Sequence, residues 1–343
     1  MRAVVLRAPG EVGTDTVPDP SILNPGDAIV EVSATAICGA DLFPFHGFTP
    51  GFENGTILGH EFTGSVVEVG ADVRRVRAGD RVVCTSMISD GTCAHCRAGR
   101  VSQCQGRALF GYSGVYPRLD GGQAEFVRVP AADRCLLALD EAVSDEAAIF
   151  VADILPTGYA AVVRGGVAVG DTVVVLGCGP VGLMAVLCAV GVAGRVIAVD
   201  GIAERRALAE RLGAEPVVPA EAEETVLAAT GGLGADVVIE AAGVPAALDA
   251  SLCLSRGRGT VSVVGAHFEP DYPLNNATMF EKELTLRFTI GDPAHDRERL
   301  LGLIATRRLD PTPVVTHRLA LADAAEGYRL FDAREATKVV LRP

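Results

Sequence analysis

Residues 173–182 read Val-Val-Val-Leu-Gly-Cys-Gly-Pro-Val-Gly, a short β-branched run that leads directly into the glycine pattern G-x-G-x-x-G. The apolar run is long enough for one buried parallel strand. Gly177 permits a tight turn out of that strand, and Gly179 lets a diphosphate approach the backbone because it has no Cβ. Gly182 lets the following helix pack close to the sheet, and the helix N-terminus offers unpaired N–H groups to the phosphates.

The segment that follows supports this interpretation. An apolar run of helical length covers 183–190, and a second strand-like run at 195–199 ends on Asp200. Asp200 lies 18 residues after Gly182, near the spacing of about 20 expected for an acid that binds a ribose. The glycine pattern alone would also be consistent with an ordinary glycine-rich turn of an α/β protein. A strand, loop, helix, strand and terminal acid in register instead predict a dinucleotide-binding unit.

Strand and helix patterns alternate from about 155 to 290. Six strand candidates lie in this region, the number in a full doubly wound sheet: 173–176, 195–199, 216–218, 236–239, 260–264 and 284–289. Gly243, with Ala242 before it, and Gly265 come just after two of these strands, at the edge of the sheet where ligands bind. The sequence therefore predicts an α/β Rossmann domain at 155–290.

The remaining segments, 1–154 and 291–343, are predicted to form a second, catalytic domain. Short strand candidates joined by irregular loops indicate a partly open β-barrel, at 1–6, 28–37, 62–69, 81–84 and 123–129. Two helix candidates and a last strand, which we expect to return to this domain, lie at 297–307, 321–330 and 338–341.

Composition excludes several classes of protein. A chain of 343 residues favours two domains over one. The formal charge of −13, with no local basic cluster, argues against a nucleic-acid partner. No apolar run reaches the roughly 18 residues of a membrane span, and Met1 leads into a strand-like segment rather than a signal peptide. We therefore expect a cytoplasmic protein with no membrane or nucleic-acid partner.

The cysteines indicate metal binding. There are nine, an odd number, and three of them lie within 93–104. In a cytosolic chain of this size, such a cluster indicates metal before disulfides. Cys38, His60 and Asp153 stand in different parts of the chain and are candidates for one further site. Taken singly, Cys38 is also typical of a buried thiol, and His60 of a core histidine bonded to a carbonyl.

Six motifs occur in one order along the chain: Cys38-Gly39-x-Asp41, Gly59-His60-Glu61, Ala78-Gly79-Asp80-Arg81-Val82, the cysteine cluster, Asp153-x-x-Pro156-Thr157-Gly158 and Gly177-x-Gly179-Pro180-Val181-Gly182. With them the whole chain resembles the zinc-containing medium-chain dehydrogenase/reductase family, alcohol dehydrogenase type, most closely its formaldehyde dehydrogenase-like branch. The resemblance implies a GroES-like catalytic domain in addition to the Rossmann domain. It is far more specific for fold and cofactor than for substrate.

The resemblance implies a catalytic zinc held by Cys38, His60 and Asp153. A thiolate, an imidazole and a carboxylate leave one coordination position for a substrate oxygen or water. Glu61 matches a nearby carboxylate able to approach the metal during ligand exchange. Asp41 would orient His60 by accepting a hydrogen bond from its other ring nitrogen.

A second, structural zinc is implied in a lobe at about 84–106. The family has four cysteines there, and this chain offers a carboxylate and three thiols at that spacing: Asp90, Cys93, Cys96 and Cys104. A carboxylate is an acceptable zinc ligand, so we predict an Asp-Cys₃ site and two zinc ions per chain. Cys84 and His95 lie nearby, and a structural role is the better interpretation of both.

For the cofactor, the resemblance adds Pro180 and Val181 of the glycine loop. It also implies that Thr157 lies beside the nicotinamide and Arg205 beside the adenosine. We predict NAD(H), because Asp200 would accept hydrogen bonds from both ribose hydroxyls and repel a 2′-phosphate. Arg205 and Arg206 are the counter-evidence, since an arginine near this position can bind that phosphate.

The implied reaction is reversible hydride transfer between nicotinamide and an alcohol or carbonyl carbon of a small molecule. Ala40 and Phe43 stand where the family's proton relay has Ser/Thr and often histidine, and neither can carry a proton. His46 is the nearest substitute. A reductase of an activated carbonyl or iminium substrate in specialised metabolism is therefore the main alternative, and a non-catalytic NAD-binding protein the distant one. Family members are dimers or tetramers, so we expect a homodimer or homotetramer.

Overall fold

The computed structural model describes residues 1–269 and 271–343. They form two compact units, the N-terminal unit (Met1–Asp153 with Asp292–Pro343) and the central unit (Ile154–Gly291). The strands are β1 (Arg2–Ala8), β2 (Glu11–Thr16), β3 (Ala28–Ile37), β4 (Glu61–Val69), β5 (Arg81–Cys84), β6 (Met87–Ile88), β7 (Ala108–Leu109), β8 (Phe126–Val129), β9 (Leu136–Ala138), β10 (Thr172–Leu176), β11 (Arg195–Val199), β12 (Glu215–Val217), β13 (Ala235–Glu240), β14 (Ser255–Val263), β15 (Thr285–Phe288), β16 (His317–Ala320) and β17 (Val339–Arg342). The α-helices are α1 (Leu42–Phe45), α2 (Ala94–Arg97), α3 (Ala132–Cys135), α4 (Asp145–Ala152), α5 (Ile154–Gly165), α6 (Pro180–Val190), α7 (Ala203–Arg211), α8 (Ala222–Ala229), α9 (Pro245–Leu254), α10 (Asn276–Glu281), α11 (Pro293–Ala305) and α12 (Ala324–Asp332).

The central unit contains a six-stranded parallel sheet in the order β12-β11-β10-β13-β14-β15. Counted from β10, this is the order 3-2-1-4-5-6 of a doubly wound dinucleotide-binding fold, so that prediction is confirmed. β10 and β11 each bury four consecutive residues, as expected for strands covered on both faces. The order reverses between β10 and β13, and the carboxyl ends of these strands frame the crevice where a ligand binds.

The loop from β10 into α6 requires glycine for steric reasons. Gly177 has a φ of +91°, and a Cβ there would lie 2.8 Å from the backbone nitrogen of Ala242. A Cβ on Gly182 would lie 1.8 Å from the carbonyl oxygen of Gly177. Space is open around Gly179, where the nearest atom to a Cβ would be 4.0 Å away. The first and third glycines therefore shape the turn, and the second leaves its backbone approachable.

The N-terminal unit contains a seven-stranded mixed sheet in the order β16-β17-β3-β4-β5-β9, with β8 also paired to β3. β1 and β2 form a separate hairpin. Glu61 of β4 pairs with Ala36 of β3, and Val339 of β17 pairs with Ile37. The end of β3 therefore lies between the starts of β4 and β17, and the residues just outside these strands come close together.

The structure differs from the sequence-based elements in several places, and the prediction lacks the strands β2, β6 and β7. The strand predicted at 123–129 begins only at Phe126. The amides of Gly121, Gly122 and Gln123 instead donate to the carbonyls of residues 57–59, outside the main sheet. β9 and β16 are absent from the prediction because strands of three and four residues are too short to show a pattern.

No single helix among the described residues is long and apolar enough to cross a membrane. The consecutive helices α4 and α5 reach that length and apolarity only when taken together, with a break between them.

Candidate active site

Four potential metal ligands from separate elements come together in the N-terminal unit: Cys38, His60, Glu61 and Asp153. Cys38 follows β3, His60 and Glu61 stand at the start of β4, and Asp153 follows α4. One ligand atom from each lies within 4.8 Å of all the others. The structure therefore brings together the three residues that the sequence predicts for the catalytic zinc, with Glu61 beside them.

The spacing of these atoms fits a tetrahedral metal ion. Asp153 Oδ2 lies 3.7 Å from the Sγ of Cys38 and 3.6 Å from the Nε2 of His60. Zinc bonds of about 2.0–2.3 Å at tetrahedral angles require ligand atoms to be about 3.3–3.6 Å apart. The thiol, imidazole and carboxylate are thus arranged closely enough to share one ion.

His60 is buried, with an acid on each side of its ring. Its Nδ1 lies 3.1 Å from Asp41 Oδ1, while Asp41 Oδ2 accepts the N–H of Cys38 at 3.0 Å. Neither ring nitrogen of His60 has a hydrogen-bond partner among the described residues, and neither does Asp41 Oδ1. Burial lowers the pKa of His60, but the surrounding acidic groups, Asp41 first, raise it well above its ordinary value. A buried nitrogen without a partner, aimed at a thiol and a carboxylate, is what a metal ligand requires.

Glu61 is fully buried against the ammonium group of Lys338. Burial raises the pKa of Glu61 to about 7, against the opposing effect of Lys338. Lys338 also donates to the carbonyl oxygen of Ile37 at 3.1 Å, which fixes its position at the end of β3. Only one carboxylate oxygen is engaged, because Glu61 Oε1 has no hydrogen-bond partner among the described residues. One oxygen of Glu61 lies within 4.8 Å of the other ligand atoms of the cluster.

Asp153 is the exposed member of the cluster, with 26% of its side chain open to solvent. Ser86, after β5, donates its hydroxyl to Asp153 Oδ1 at 3.1 Å and so orients the carboxylate. The sequence analysis missed Ser86, since a lone serine after a short strand carries no recognisable signal. Solvent access at Asp153 indicates the side from which a small molecule reaches the cluster.

The second predicted cluster is also assembled in the N-terminal unit, from Asp90, Cys93, Cys96 and Cys104, whose ligand atoms again lie within 4.8 Å of one another. Asp90 Oδ1 accepts the N–H groups of Cys93 at 2.9 Å and Thr92 at 2.6 Å, which lower the pKa of Asp90. The backbone N–H of Cys96 lowers the pKa of Cys93 to about 7. These amides favour the charged forms of Asp90 and Cys93, whereas burial raises the pKa of Cys96 to about 12. A carboxylate and three thiols are a donor set that zinc accepts.

Most predicted cofactor residues of the central unit lie at the carboxyl edge of its sheet. Pro180 and Val181 open α6, directly after the glycine turn. Ala242 and Gly243 follow β13, and Gly265 follows β14. A Cβ on Gly265 would lie only 2.4 Å from the Gly243 nitrogen, so these two loops are in contact. The edge thus gathers backbone from three loops where a doubly wound fold binds its ligand.

Asp200, after β11, is held by the backbone and is 9% exposed. Its Oδ2 accepts the N–H of Cys178 at 2.7 Å, and its Oδ1 accepts that of Ile202 at 2.7 Å. Arg206 donates to the carbonyl oxygen of Asp200 at 2.9 Å, whereas Arg205 lies beside the glycine loop. The carboxylate is therefore fixed next to the turn that would bind a dinucleotide.

Glu240, the last residue of β13, is a buried acid that the sequence analysis missed. Its Oε1 accepts the amides of Ala242 and Gly243 at 2.9 and 2.8 Å, and its Oε2 lies 2.9 Å from His267 Nε2. It therefore fixes the loop after β13. A glutamate directly after the apolar run at 237–239 is the signal that could have revealed it. Thr157, predicted beside the nicotinamide, lies on α5.

The segment of the missing proton relay lies after Cys38. The hydroxyl of Tyr112 donates to the carbonyl oxygen of Ala40, and burial raises the pKa of Tyr112. Phe43 is half-buried on α1. His46 is exposed, with its Nε2 2.8 Å from Asp332 Oδ1. The structure thus offers hydroxyl and imidazole groups near this segment, but none on the side chains of Ala40 and Phe43.

Known proteins resemble this chain in both sequence and fold. Residues 24–140 match the family model of the alcohol dehydrogenase GroES-like domain, and residues 180–306 match that of the zinc-binding dehydrogenases. A protein of Mycobacterium tuberculosis named as a probable zinc-binding alcohol dehydrogenase is 40% identical, covering 100% of this chain and 89% of its own length. The chain belongs to the zinc-type alcohol dehydrogenase family.

Solved structures agree with this membership. An alcohol dehydrogenase from Thermus sp. ATN1 has a TM-score of 0.95 at 40% identity, covering 100% of this chain and 99% of that chain. A structure from Sinorhizobium meliloti, bound to NADP, has a TM-score of 0.88 at 31% identity, with 100% and 99% coverage. The predicted GroES-like and Rossmann architecture and the class of zinc-dependent oxidoreductase are confirmed. The formaldehyde dehydrogenase-like branch stays a prediction.

The two clusters predict two zinc ions per chain of this zinc-type dehydrogenase. Cys38→Ser should remove one equivalent and the activity while the fold persists. Cys96→Ser should remove the other equivalent and mainly lower the melting temperature, because structural zinc contributes directly to folding. Metal analysis of the purified variants by plasma mass spectrometry checks this.

Cys188→Ser is the matched control, since Cys188 is a buried thiol of α6 outside both clusters, and it should keep both equivalents. If the unmodified protein holds a single equivalent that Cys38→Ser removes, the Asp90 cluster does not bind zinc.

Proposed function

We propose that the chain is a zinc-dependent NAD(H) oxidoreductase that transfers a hydride between the nicotinamide and an alcohol or carbonyl carbon. The observation that carries the proposal is the cluster of Cys38, His60 and Asp153, in which the buried Nε2 of His60 lacks a hydrogen-bond partner among the described residues. The glycine turn at 177–182 supports the cofactor half of the reaction, because its geometry leaves room for a diphosphate.

In this proposal Cys38, His60 and Asp153 hold the catalytic zinc. When bound, zinc supplies Lewis-acid chemistry, polarising a carbonyl oxygen or lowering the pKa of an alcohol hydroxyl. The chain's own residues surround the site: Asp41 Oδ1 lies 3.1 Å from Nδ1 of His60, and the hydroxyl of Ser86 donates to one oxygen of Asp153. The partial exposure of Asp153 favours entry of a small alcohol or carbonyl compound from its side.

Glu61 and Lys338 are proposed to maintain the charge balance of the site. Lys338 pairs with one buried carboxylate oxygen of Glu61, and one oxygen of this carboxylate lies within 4.8 Å of the other ligand atoms of the cluster. A carboxylate so placed can take over a ligand position while substrate or water exchanges, and Lys338 holds it when it withdraws.

The proposed cofactor is NAD(H). The carboxylate of Asp200 lies beside the glycine turn, anchored by two backbone amides, where it can accept the ribose hydroxyls. Arg206, one of the two arginines that would favour a 2′-phosphate, is engaged with the backbone of Asp200. The NADP bound to the Sinorhizobium meliloti structure shows that the other nucleotide occurs among similar proteins, so this preference needs its own test.

A second candidate function, reduction of an activated carbonyl or iminium compound, is favoured by Ala40 and Phe43. Neither side chain can pass a proton to a substrate oxygen. Reduction of an iminium carbon requires no proton transfer to oxygen, and reduction of an activated carbonyl depends less on such a transfer. Oxidation of a simple alcohol, by contrast, requires a route for its hydroxyl proton, with His46 the first substitute.

We propose a homodimer or homotetramer. β15 is the end strand of the central sheet, and large apolar side chains on and beside it are exposed: Phe280, Phe288 and Ile290. An edge strand of this kind is usually covered, and a second copy of the chain would cover it. Sedimentation equilibrium should show a species of at least twice the chain mass. A monomer at micromolar concentration would contradict it.

Preference for NAD should depend on the charge of Asp200. Asp200→Ala and Asp200→Asn should each reduce the ratio of kcat/KM for NAD over NADP by about tenfold or more, because the repulsion of the 2′-phosphate is lost. Asp200→Asn is the variant closest in shape, and its amide oxygen can keep one of the two backbone hydrogen bonds that Asp200 accepts. Comparable efficiency with both cofactors in the unmodified enzyme, or unchanged selectivity in both variants, would exclude this role.

Simple primary alcohols should be poor substrates, because general acid–base assistance typically contributes about 10²–10⁴-fold. The double variant Ala40→Ser with Phe43→His should raise kcat for ethanol-like or benzylic alcohols and shift the pH profile of oxidation. Steady-state oxidation rates measured across pH check this, with His46→Ala as the comparison. If the unmodified enzyme already oxidises simple alcohols at ordinary dehydrogenase rates and the double variant changes nothing, another group carries the proton.

A further inference from the structure

The carboxylate of Asp41 is where a buried polar chain from the core meets the metal cluster. Asp41 Oδ2 lies 3.4 Å from Nε2 of Gln123, and Oε1 of Gln123 lies 2.9 Å from the hydroxyl of Tyr328. Asp41 and Gln123 are fully buried, and Tyr328 is 1% exposed. A series of buried polar side chains therefore connects Tyr328 of α12, through Gln123, to Asp41 beside His60.

The hydrogen bonds between Tyr328, Gln123 and Asp41 can run in only one direction. Nε2 of Gln123 faces two acceptors, Asp41 Oδ2 and the carbonyl oxygen of Ala36 at 3.3 Å. The reverse amide orientation would place the Gln123 oxygen against both of them. With Nε2 toward Asp41, Oε1 faces Tyr328, whose hydroxyl must then donate.

The direction of these hydrogen bonds determines the tautomer of His60. The N–H groups of Cys38 and Gln123 both point at Oδ2 of Asp41, so this buried carboxylate is surrounded by donors and remains an acceptor. The proton of a neutral His60 then belongs on Nδ1, 3.1 Å from Asp41 Oδ1. Its Nε2 lone pair is left for the cluster, as metal ligation requires.

Packing holds Gln123 against the residue that precedes His60. Gly59 has a φ of +95°, and a Cβ there would lie 2.4 Å from Cγ of Gln123. The backbone N–H of Gln123 donates to the carbonyl oxygen of Leu58 at 2.9 Å. The same residue therefore touches the chain entering His60 and the acid that orients its ring.

We propose that Gln123 and Tyr328 are positioning residues of the metal site. They fix Asp41 as an acceptor, and through it fix His60 in the Nδ1–H tautomer with Nε2 aimed at the metal. This inference rests on the proposed function in one respect, namely that the Cys38 cluster binds metal.

Cobalt(II) substitution of the full-length enzyme tests the proposal. The cobalt absorption that is lost in Cys38→Ser is assigned to the ion at the Cys38 cluster. Tyr328→Phe and Gln123→Met keep the shape of each side chain and remove the hydrogen bonds. Both should speed release of that cobalt to a chelator by about tenfold, within the range known for outer partners of metal ligands, and shift its d–d absorption bands.

Thr56→Val is the matched control. Thr56 is fully buried in the same unit, and its hydroxyl donates to the carbonyl oxygen of Glu53 at 2.7 Å with no contact to Asp41. It should lower the melting temperature to a similar degree but leave cobalt release and spectrum unchanged. In the combined variant, Tyr328→Phe should add nothing to Gln123→Met, because the hydroxyl acts only through the amide.

Two outcomes would overturn the proposal, and they are distinguishable from each other. If cobalt release follows the loss of melting temperature equally in Thr56→Val, Tyr328→Phe and Gln123→Met, the polar chain is merely structural. If no cobalt band depends on Cys38, the cluster does not bind metal, and the proposed function fails together with this inference.

Discussion

The buried imidazole of His60, which lies between the carboxylates of Asp41 and Asp153, is the constraint around which the metal cluster is built. Asp41 lies 3.1 Å from Nδ1 and Asp153 3.6 Å from Nε2, and the thiol of Cys38 and the carboxylate of Glu61 complete the group. Leaving such groups charged and unpaired in a core costs on the order of 3–5 kcal/mol each. Lys338 neutralises Glu61, and a divalent cation at the cluster would balance the Cys38 thiolate and the Asp153 carboxylate.

The sheet of the N-terminal unit exists in a register that satisfies this constraint. β3 lies between β4 and β17, so that the end of one strand and the starts of the other two present their neighbouring side chains to one small volume. Lys338, immediately before β17, donates to the carbonyl of Ile37 at the end of β3, which ties the ion pair to the sheet. A shift of one residue in this pairing would turn the ligands to the opposite face.

Much of the fold could be predicted from the sequence because its signals are local. The strand, glycine turn and helix at 172–190 and the terminal acid Asp200 follow one another without interruption, so the doubly wound sheet follows from pattern alone. The gathering of Cys38, His60 and Asp153 could be expected only through family resemblance, since no local pattern links positions so far apart. Their roles as ligands remain predictions.

The supporting residues could not be predicted, and the reason is physical. Ser86, Gln123 and Tyr328 act through hydrogen bonds across the core, and a single polar residue in an otherwise apolar segment does not reveal its partner. The sequence pattern also predicts a strand at Gln123, whereas that strand begins only at Phe126. The turn there exists because the backbone of 121–123 bonds to residues 57–59, a long-range pairing with no sequence periodicity.

Anomalous diffraction at the zinc absorption edge, from crystals of the full-length enzyme grown with excess zinc, tests whether Cys38, His60 and Asp153 bind zinc. We expect an anomalous peak within bonding distance of Cys38 Sγ, His60 Nε2 and a carboxylate oxygen of Asp153. A peak only at the Asp90, Cys93, Cys96 and Cys104 cluster, with Nε2 of His60 hydrogen-bonded to Asp153 or to water, would contradict it.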